Sequence, residues 1–368
     1  MPDSPNVPSR DAALDATRTV AIWLMVACHA ARLIPRSTRP DWLVNAMLIE
    51  PLCQALFMAM VGTSMVYSMR IAHRHGQTGW TQRLIRRAAE LFAIGVAIFF
   101  VQRGWQWPWT LTGHGILLAI SIAMIASLPV VLLGRHRPSR GLMAALVTTV
   151  VLGAAASWMD HIDLRIPVLN AGNGALLPFT VLTGFGIIAA HILLDHRRKA
   201  QLGLLAILAA GAALTLHQHG FTAAFSKPLG RHSFPMDFWI ANDGFSQIYK
   251  ILTGQRLEAY EARYYTFRPV LIPILMAMIA GIYTLARLLG PVTHRLNPLW
   301  LVGRHSLSVY VLHLILLAVP VIVIGKNKPW SEPWQANLTF GVVLALCYAY
   351  AALKTNRRRR KINRNVHS

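Results

Sequence analysis

The first long apolar stretch of the chain reads Leu14-Asp15-Ala16-Thr17-Arg18-Thr19-Val20-Ala21-Ile22-Trp23-Leu24-Met25-Val26-Ala27-Cys28-His29. Apart from its charged residues, the stretch has the composition of a membrane-spanning helix. Arg18 and His29 are eleven positions apart, which on an α-helix is a rise of roughly 16 Å and about three turns. Both side chains therefore leave the same face of the helix. Because an ionisable group inside a bilayer is costly, this pair indicates a functional site.

The composition predicts a polytopic membrane protein. Hydrophobic residues make up 55% of the 368 residues and charged residues only 14%, with a mean hydropathy of +0.44. Apolar runs recur along the whole chain, so we predict an all-α bundle of about ten transmembrane helices. Residues 1–355 form one membrane domain, and residues 356–368 form a basic cytoplasmic tail. The predicted spans are 13–34, 46–69, 84–101, 111–133, 141–158, 174–194, 201–216, 269–289, 299–324 and 336–353.

Basic residues predict how the chain is oriented. Lys and Arg total 36 against 14 Asp and Glu, which gives a net charge of +22. The cations cluster in alternate loops, and the tail 354–364 is the densest cluster. By the positive-inside rule, these loops and both termini face the cytoplasm, as in a multi-pass protein of the cytoplasmic (inner) membrane. Topology and anionic lipid headgroups account for the charge, so we expect no nucleic acid partner.

Polar residues group by their expected depth in the membrane. Glu50 and His114 enter their helices near the depth of His29, toward the outer side. A late helix carries Ser306, Tyr310 and His313 on one face, at positions i, i+4 and i+7. At the cytoplasmic side, three further arginines are expected at the same depth as Arg18, namely Arg83, Arg86 and Arg87. The pattern predicts a basic inner mouth and a cluster of histidine and glutamate higher up.

Structural explanations of the same residues stay open. Arg86 and Arg87 have the spacing to pair locally with Glu90. Glu50 has Arg32 as a candidate partner, and His114 and His313 have the character of hydrogen-bonded core histidines. The three cysteines have no metal-ligand spacing, so we expect no metal.

Residues 217–268 form a predicted external segment that is too long for a plain connection. Aromatic side chains mixed with carboxylates and amides, as in Asp237-Phe238-Trp239, suit a sugar, which stacks on rings and bonds through its hydroxyls. A cap that merely shields the helical bundle explains the same composition. Both interpretations of the segment stay open.

Three stretches resemble motifs of the membrane-bound acyltransferases called acyltransferase family 3. Leu14-Asp15-Ala16-Thr17-Arg18, ten further residues and His29 resemble the Arg-x10-His motif of that family. Its second-helix signature is similar to Leu56-Phe57-Met58-Ala59-Met60-Val61-Gly62-Thr63-Ser64. Its late helix with spaced Gly, Ser, Tyr and His is similar to Val302-Gly303-Arg304-His305-Ser306-Leu307-Ser308-Val309-Tyr310-Val311-Leu312-His313.

Two other stretches resemble a sister group, the catalytic domain of the heparan-α-glucosaminide N-acetyltransferases and their bacterial relatives. These stretches are Leu84-Ile85-Arg86-Arg87-Ala88 and Gly113-His114-Gly115-Ile116-Leu117-Leu118. The relatives carry a luminal histidine before the second helix, where this chain has Arg39-Pro40-Asp41-Trp42. This departure weakens the transfer of their mechanism and acceptor more than the transfer of their donor.

The resemblance implies acyl transfer from a cytoplasmic acyl-CoA, most simply acetyl-CoA, to a carbohydrate- or glycolipid-type acceptor on the far side. His29 would act as the base or as the acyl carrier, with Glu50 orienting its ring. The arginines that would bind the CoA phosphates are Arg18, Arg83, Arg86 and Arg87. The residues that would face the substrate are His114, Ser306, Tyr310 and His313.

A polytopic transporter or flippase is the competing class, because intramembrane charges also line translocation paths. The chain shows no internal repeat and no paired helices broken by glycine or proline, which many transporters have. The enzyme is therefore the preferred interpretation.

The basic loops generate a topology prediction. A tag after Ser368 and a reporter near Thr78 should both lie in the cytoplasm, and a reporter near Asp243 should lie outside. Reporter fusions in whole cells measure this directly. A cytoplasmic signal from the Asp243 position would contradict the predicted helix count and the sidedness of donor and acceptor.

Overall fold

The computed structural model describes residues 11–43, 50–103, 116–162, 164, 169, 176–194, 198–219, 229–233, 263–267, 272–289, 298–324 and 330–367. Nearly all of these residues are helical. In chain order the helices are α1 (Ala12–Arg32), α2 (Glu50–Arg74), α3 (Trp80–Arg103), α4 (Ile116–Leu133), α5 (Pro138–His161), α6 (Leu176–Leu194), α7 (Arg198–His219), α8 (Ile272–Leu288), α9 (Leu301–Arg304), α10 (Ser306–Ile324) and α11 (Pro333–His367).

The helical architecture and the membrane character are confirmed. Every predicted span overlaps a helix, and the ninth span covers both α9 and α10. Among the described residues, four helices are long and apolar enough to cross a membrane: Leu52–Arg74, Ile116–Leu133, Pro138–Met159 and Pro333–Arg357. Four further apolar helices are shorter, namely Phe179–Leu194, Gly203–Leu214, Ile272–Leu288 and Ser306–Pro320. The chain is a helical membrane protein, and the count of ten spans stays a prediction.

Besides the helices, the described residues form a two-stranded antiparallel ribbon. Its strands are β1 (Leu229–Ser233) and β2 (Arg263–Phe267), with Leu229 opposite Phe267 and Ser233 opposite Arg263. Both strands belong to the predicted external segment 217–268. The hydropathy pattern does not predict this ribbon, because its stability comes from pairing between strands about thirty residues apart.

The chain divides into two compact units, and the first comprises Met1–Leu56 and Met278–Ser368. Asp11 caps the start of helix α1, where its carboxylate accepts a hydrogen bond from the Ala13 N–H at 2.9 Å. Helix α11 runs antiparallel to α1. Near the end of α1, Ala336 packs in a cluster with Ala27 and Ala31. Further along α11, Tyr348 accepts a hydrogen bond from Trp23 Nε1 at 3.2 Å.

The second unit comprises Phe57–Ala277 and contains closely packed helices. Helix α5 packs on α6, and α3 packs on α4. Helices α2 and α6 approach until their backbones touch, because a Cβ atom at Gly186 would lie 1.9 Å from the Ala59 carbonyl oxygen. Thr63 Oγ1 donates to the Gly186 carbonyl at 3.1 Å across this contact. Glycine is therefore required at this crossing.

Replacement of Gly186 by alanine should destabilise the second unit. The added methyl group overlaps backbone that has no flexible end to move, and overpacking of this kind costs about 1–3 kcal/mol. Gly203→Ala is the matched control, because Gly203 lies in α7 with nothing within 4 Å of its added Cβ. The control should be neutral, or stabilising by up to about 1 kcal/mol. Thermal unfolding of both purified variants in detergent measures the difference, and equal melting temperatures would contradict the tight crossing.

Candidate functional site

Two histidines form the central contact of the first unit. Nδ1 of His29 lies 3.0 Å from Nε2 of His313, and their ring planes differ by only 8°. His29 is half-buried on α1, whereas His313 is completely buried on α10. The short distance with nearly parallel planes is the geometry of a hydrogen bond in which one ring nitrogen donates and the other accepts.

Either ring can donate across this contact, depending on the tautomers. Nδ1 of His313 is buried and makes no hydrogen bond to the described residues. When the proton of neutral His29 is on Nδ1, that N–H donates to Nε2 of His313. This tautomer leaves a lone pair on Nε2 of His29.

Tyr310 completes the aromatic surroundings of the pair. Its ring meets that of His313 edge-on, with centroids 5.2 Å apart and an angle of 76°. Tyr310 is buried, and Ser306 begins the same helix and is half-buried. Of the three residues predicted to share a face of α10, the structure thus brings Tyr310 and His313 together.

A charged cluster lies at the other end of α1. Asp15 Oδ1 accepts from Arg18 Nη1 at 3.2 Å, and Arg304 Nε lies 3.4 Å from Asp15 Oδ2. The Asp15 side chain is 2% exposed, whereas Arg18 and Arg304 are 19% and 23% exposed. A buried carboxylate is therefore held between two arginines from separate helices that retain some solvent access.

Gly303 makes this cluster possible. Thr19 Oγ1 accepts a hydrogen bond from the Gly303 N–H at 3.2 Å and donates to the Asp15 carbonyl at 2.9 Å. A Cβ atom at Gly303 would lie 2.0 Å from the Asp15 carbonyl oxygen. Only a residue without a side chain permits this approach of α9 to α1, and the approach delivers Arg304 to Asp15.

A comparison with protein families matches residues 10–236, more than half of the chain, to the catalytic domain of heparan-alpha-glucosaminide N-acetyltransferase. The chain belongs to this family. The matched residues include Arg18 and His29, whereas Arg304 and His313 lie beyond them. A comparison with curated proteins finds no match. Of the two resemblances in the sequence, the one to the N-acetyltransferases is confirmed.

The remaining arginines that were predicted to bind the donor make local contacts in this N-acetyltransferase family member. Arg83 donates to the Thr78 carbonyl at 3.1 Å. Arg86 and Arg87 both pair with Glu90, at 3.1 and 3.2 Å, and the three side chains are 83%, 49% and 42% exposed. These contacts agree with the local pairing that the spacing allowed. Exposed pairs of this kind contribute little to stability.

Two predicted site residues lie outside the described part of the molecule. Helix α2 begins at Glu50, but the position of its side chain is not described, and His114 precedes the first described residue of α4. Their predicted roles as orienting carboxylate and substrate contact stay predictions. Among the described residues, no group of three or more His, Cys, Asp or Glu side chains is placed to hold a metal ion.

Sequence reasoning missed Asp15 and Arg304 as members of the site. The spacing of Asp15 and Arg18 is that of an i, i+3 helical ion pair, which was available from the sequence. Arg304 follows Gly303 in the late motif, and its partner comes from the other end of the chain. No local pattern identifies that partner.

Proposed function

We propose that this chain is a membrane acetyltransferase that uses acetyl-CoA and acetylates a hydroxyl or amine of a carbohydrate- or glycolipid-type acceptor. Family membership implies an acetyltransferase and supports a carbohydrate acceptor. The observation that carries the proposal is the 3.0 Å contact between His29 and His313. It gives an imidazole in a predicted membrane span a fixed orientation, which a general base requires.

His29 acts as the base through its Nε2 atom. The acceptor oxygen or nitrogen attacks the carbonyl carbon of the thioester, and its proton passes to Nε2 of His29. The carbon–sulfur bond then breaks, and the thiolate of CoA takes the proton from His29 to leave as a thiol. While His29 is protonated, its Nδ1–H stays hydrogen-bonded to His313 Nε2, which stabilises the positive charge. In a second route, Nε2 of His29 first takes the acetyl group from the thioester, and the acceptor then attacks this acetyl-histidine.

His313 orients His29 in this proposal. Glu50 is also predicted to orient His29, and that prediction stays open beside the contact of His29 Nδ1 with His313. His114, Ser306 and Tyr310 are proposed to face the acceptor. The buried ring of Tyr310 restricts the rotation of His313 through their edge-on contact.

The two ends of α1 give the proposed reaction a direction. Arg18 lies at the end that the basic loops predict to be cytoplasmic, and His29 lies roughly 16 Å further along the helix. A donor whose phosphates stay near Arg18 therefore extends its thioester toward His29. The acceptor approaches from the opposite side of the cytoplasmic (inner) membrane. The remaining predicted donor arginines, Arg83, Arg86 and Arg87, stay candidates for the inner surface.

Replacement of His29 by alanine should abolish turnover and spare donor binding. Loss of a general base lowers the rate by a factor of about 10²–10⁴. The measurement is release and transfer of radiolabelled acetyl groups from acetyl-CoA, with water and glucosamine as test acceptors, together with CoA binding by equilibrium dialysis. His75→Ala is the control, because His75 is exposed in the turn after α2. Wild-type turnover in His29→Ala would remove His29 from the mechanism.

His313 should be tested by two variants that differ in hydrogen bonding. His313→Ala removes the acceptor for His29 Nδ1–H, and loss of a hydrogen bond to a charged group costs about 1.5–3 kcal/mol, or roughly ten- to a hundredfold in kcat. His313→Gln keeps an acceptor oxygen, so it should recover part of the loss while KM for acetyl-CoA stays unchanged. Equal activity of the two variants would exclude an orienting role.

A further inference from the structure

We infer that Arg18 and Arg304, held in place by Asp15, bind the diphosphate of the CoA donor. This inference deepens the proposed function and rests on it. It adds Arg304 and Asp15 to the donor site, and it assigns Asp15 a positioning role. All three residues belong to the first unit.

The charges of the cluster suit an anion. The guanidinium groups of Arg18 and Arg304 carry two positive charges and share the carboxylate of Asp15. Guanidinium binds phosphate oxygens through paired N–H groups, and it binds most firmly when its orientation is already fixed. The carboxylate of Asp15 orients both groups, with its oxygens 3.2 Å from Arg18 Nη1 and 3.4 Å from Arg304 Nε, while each arginine keeps about a fifth of its surface exposed.

The cluster is more buried than the ion pairs that Arg86 and Arg87 form with Glu90. Arg86 and Arg87 also share one carboxylate, but Glu90 is 42% exposed and all three residues lie on one helix surface. Asp15 is 2% exposed, and it joins two helices whose backbones meet at Gly303. A preorganised pair of arginines loses less side-chain entropy on binding a phosphate.

The residues that follow Arg304 extend the polar surface. Nε2 of His305 lies 2.9 Å from Thr355 Oγ1, and Lys354 Nζ donates to Ser308 Oγ at 2.5 Å. Lys354 is exposed, and its contact with Ser308 places a positive charge of α11 against the first turn of α10, four positions after Arg304. The additional phosphate of CoA would meet a cation there.

Two helices connect this cluster with the histidine pair. Along α1, eleven positions separate Arg18 from His29, and along the second path nine positions separate Arg304 from His313. Both helices run in the same direction, because Arg304 meets Asp15 and His313 meets His29. The pantetheine arm of CoA is an extended chain between a diphosphate and a thioester. It would lie along α1 with its phosphates at the arginines and its thioester at His29.

The decisive experiment compares two donors that differ in their phosphates. Acetyl-CoA carries the diphosphate, whereas S-acetylpantetheine carries the same thioester without any phosphate. In Arg304→Gln and Arg18→Gln, KM for acetyl-CoA should rise roughly ten- to a hundredfold. The kinetic constants for S-acetylpantetheine should stay at the wild-type values. Arg287→Gln is the matched control, because Arg287 is an exposed arginine of the first unit near the end of α8.

Asp15→Asn tests the positioning role. This variant keeps both arginines and the shape of the side chain but removes the negative charge that orients them. KM for acetyl-CoA should rise while kcat at saturation and the constants for S-acetylpantetheine stay unchanged. Arg304→Lys keeps the charge without the planar fork, so its KM should lie between those of the wild type and Arg304→Gln.

A separate measurement distinguishes failure of this inference from failure of the proposed function. Equilibrium dialysis with radiolabelled CoA reports binding without turnover, on protein whose melting temperature and size-exclusion profile match the wild type. Binding that depends on Arg304 in a protein without transferase activity would support the site and overturn the proposed function. Transferase activity with equal losses for both donors, or with no loss in any arginine variant, would overturn the site. Wild-type CoA affinity in Arg304→Gln would do the same.

Discussion

The candidate site depends on the backbone contact at Gly303. Helix α9 meets α1 so closely that a single methyl group would overlap the Asp15 carbonyl. This contact fixes the translation of the late helices along α1, which brings Arg304 to Asp15. It also sets the depth of α10, whose His313 reaches His29 nine positions after Arg304. One glycine therefore controls both the charged and the neutral part of the site.

The helices and the residues that share a helix face were easier to predict from the sequence than the contacts between distant segments. The Arg18–His29 stripe and the face of α10 follow from helical periodicity, and the structure brings His29 and His313 together from these faces. The Asp15–Arg304 pair joins positions 289 apart in the chain. Its formation requires the Gly303 crossing, which no local pattern encodes. Arg86 and Arg87 illustrate the opposite case, because their i, i+4 and i, i+3 spacings were sufficient to predict their contacts with Glu90.

The chemistry changes along α1 from charged to neutral. At one end, a carboxylate and two arginines lie where solvent still reaches the guanidinium groups. At the other end, two imidazoles share one hydrogen bond, and the ring of Tyr310 lies edge-on to that of His313. Phosphates need charge, and a thioester needs an environment from which bulk water is excluded. The order of residues on one helix therefore matches the order of chemical groups in the proposed donor.

A histidine partner suits a base inside a membrane better than a carboxylate partner does. A carboxylate beside a neutral imidazole carries a full charge before the reaction begins, and burial of an uncompensated charge is expensive. Two neutral imidazoles carry no net charge until a proton arrives. In the proposed reaction the positive charge would exist only while His29 holds the proton, when its hydrogen bond to His313 would be charge-assisted and stronger. The pair would then stabilise the protonated intermediate more than the resting state, and only such a difference in binding accelerates a reaction.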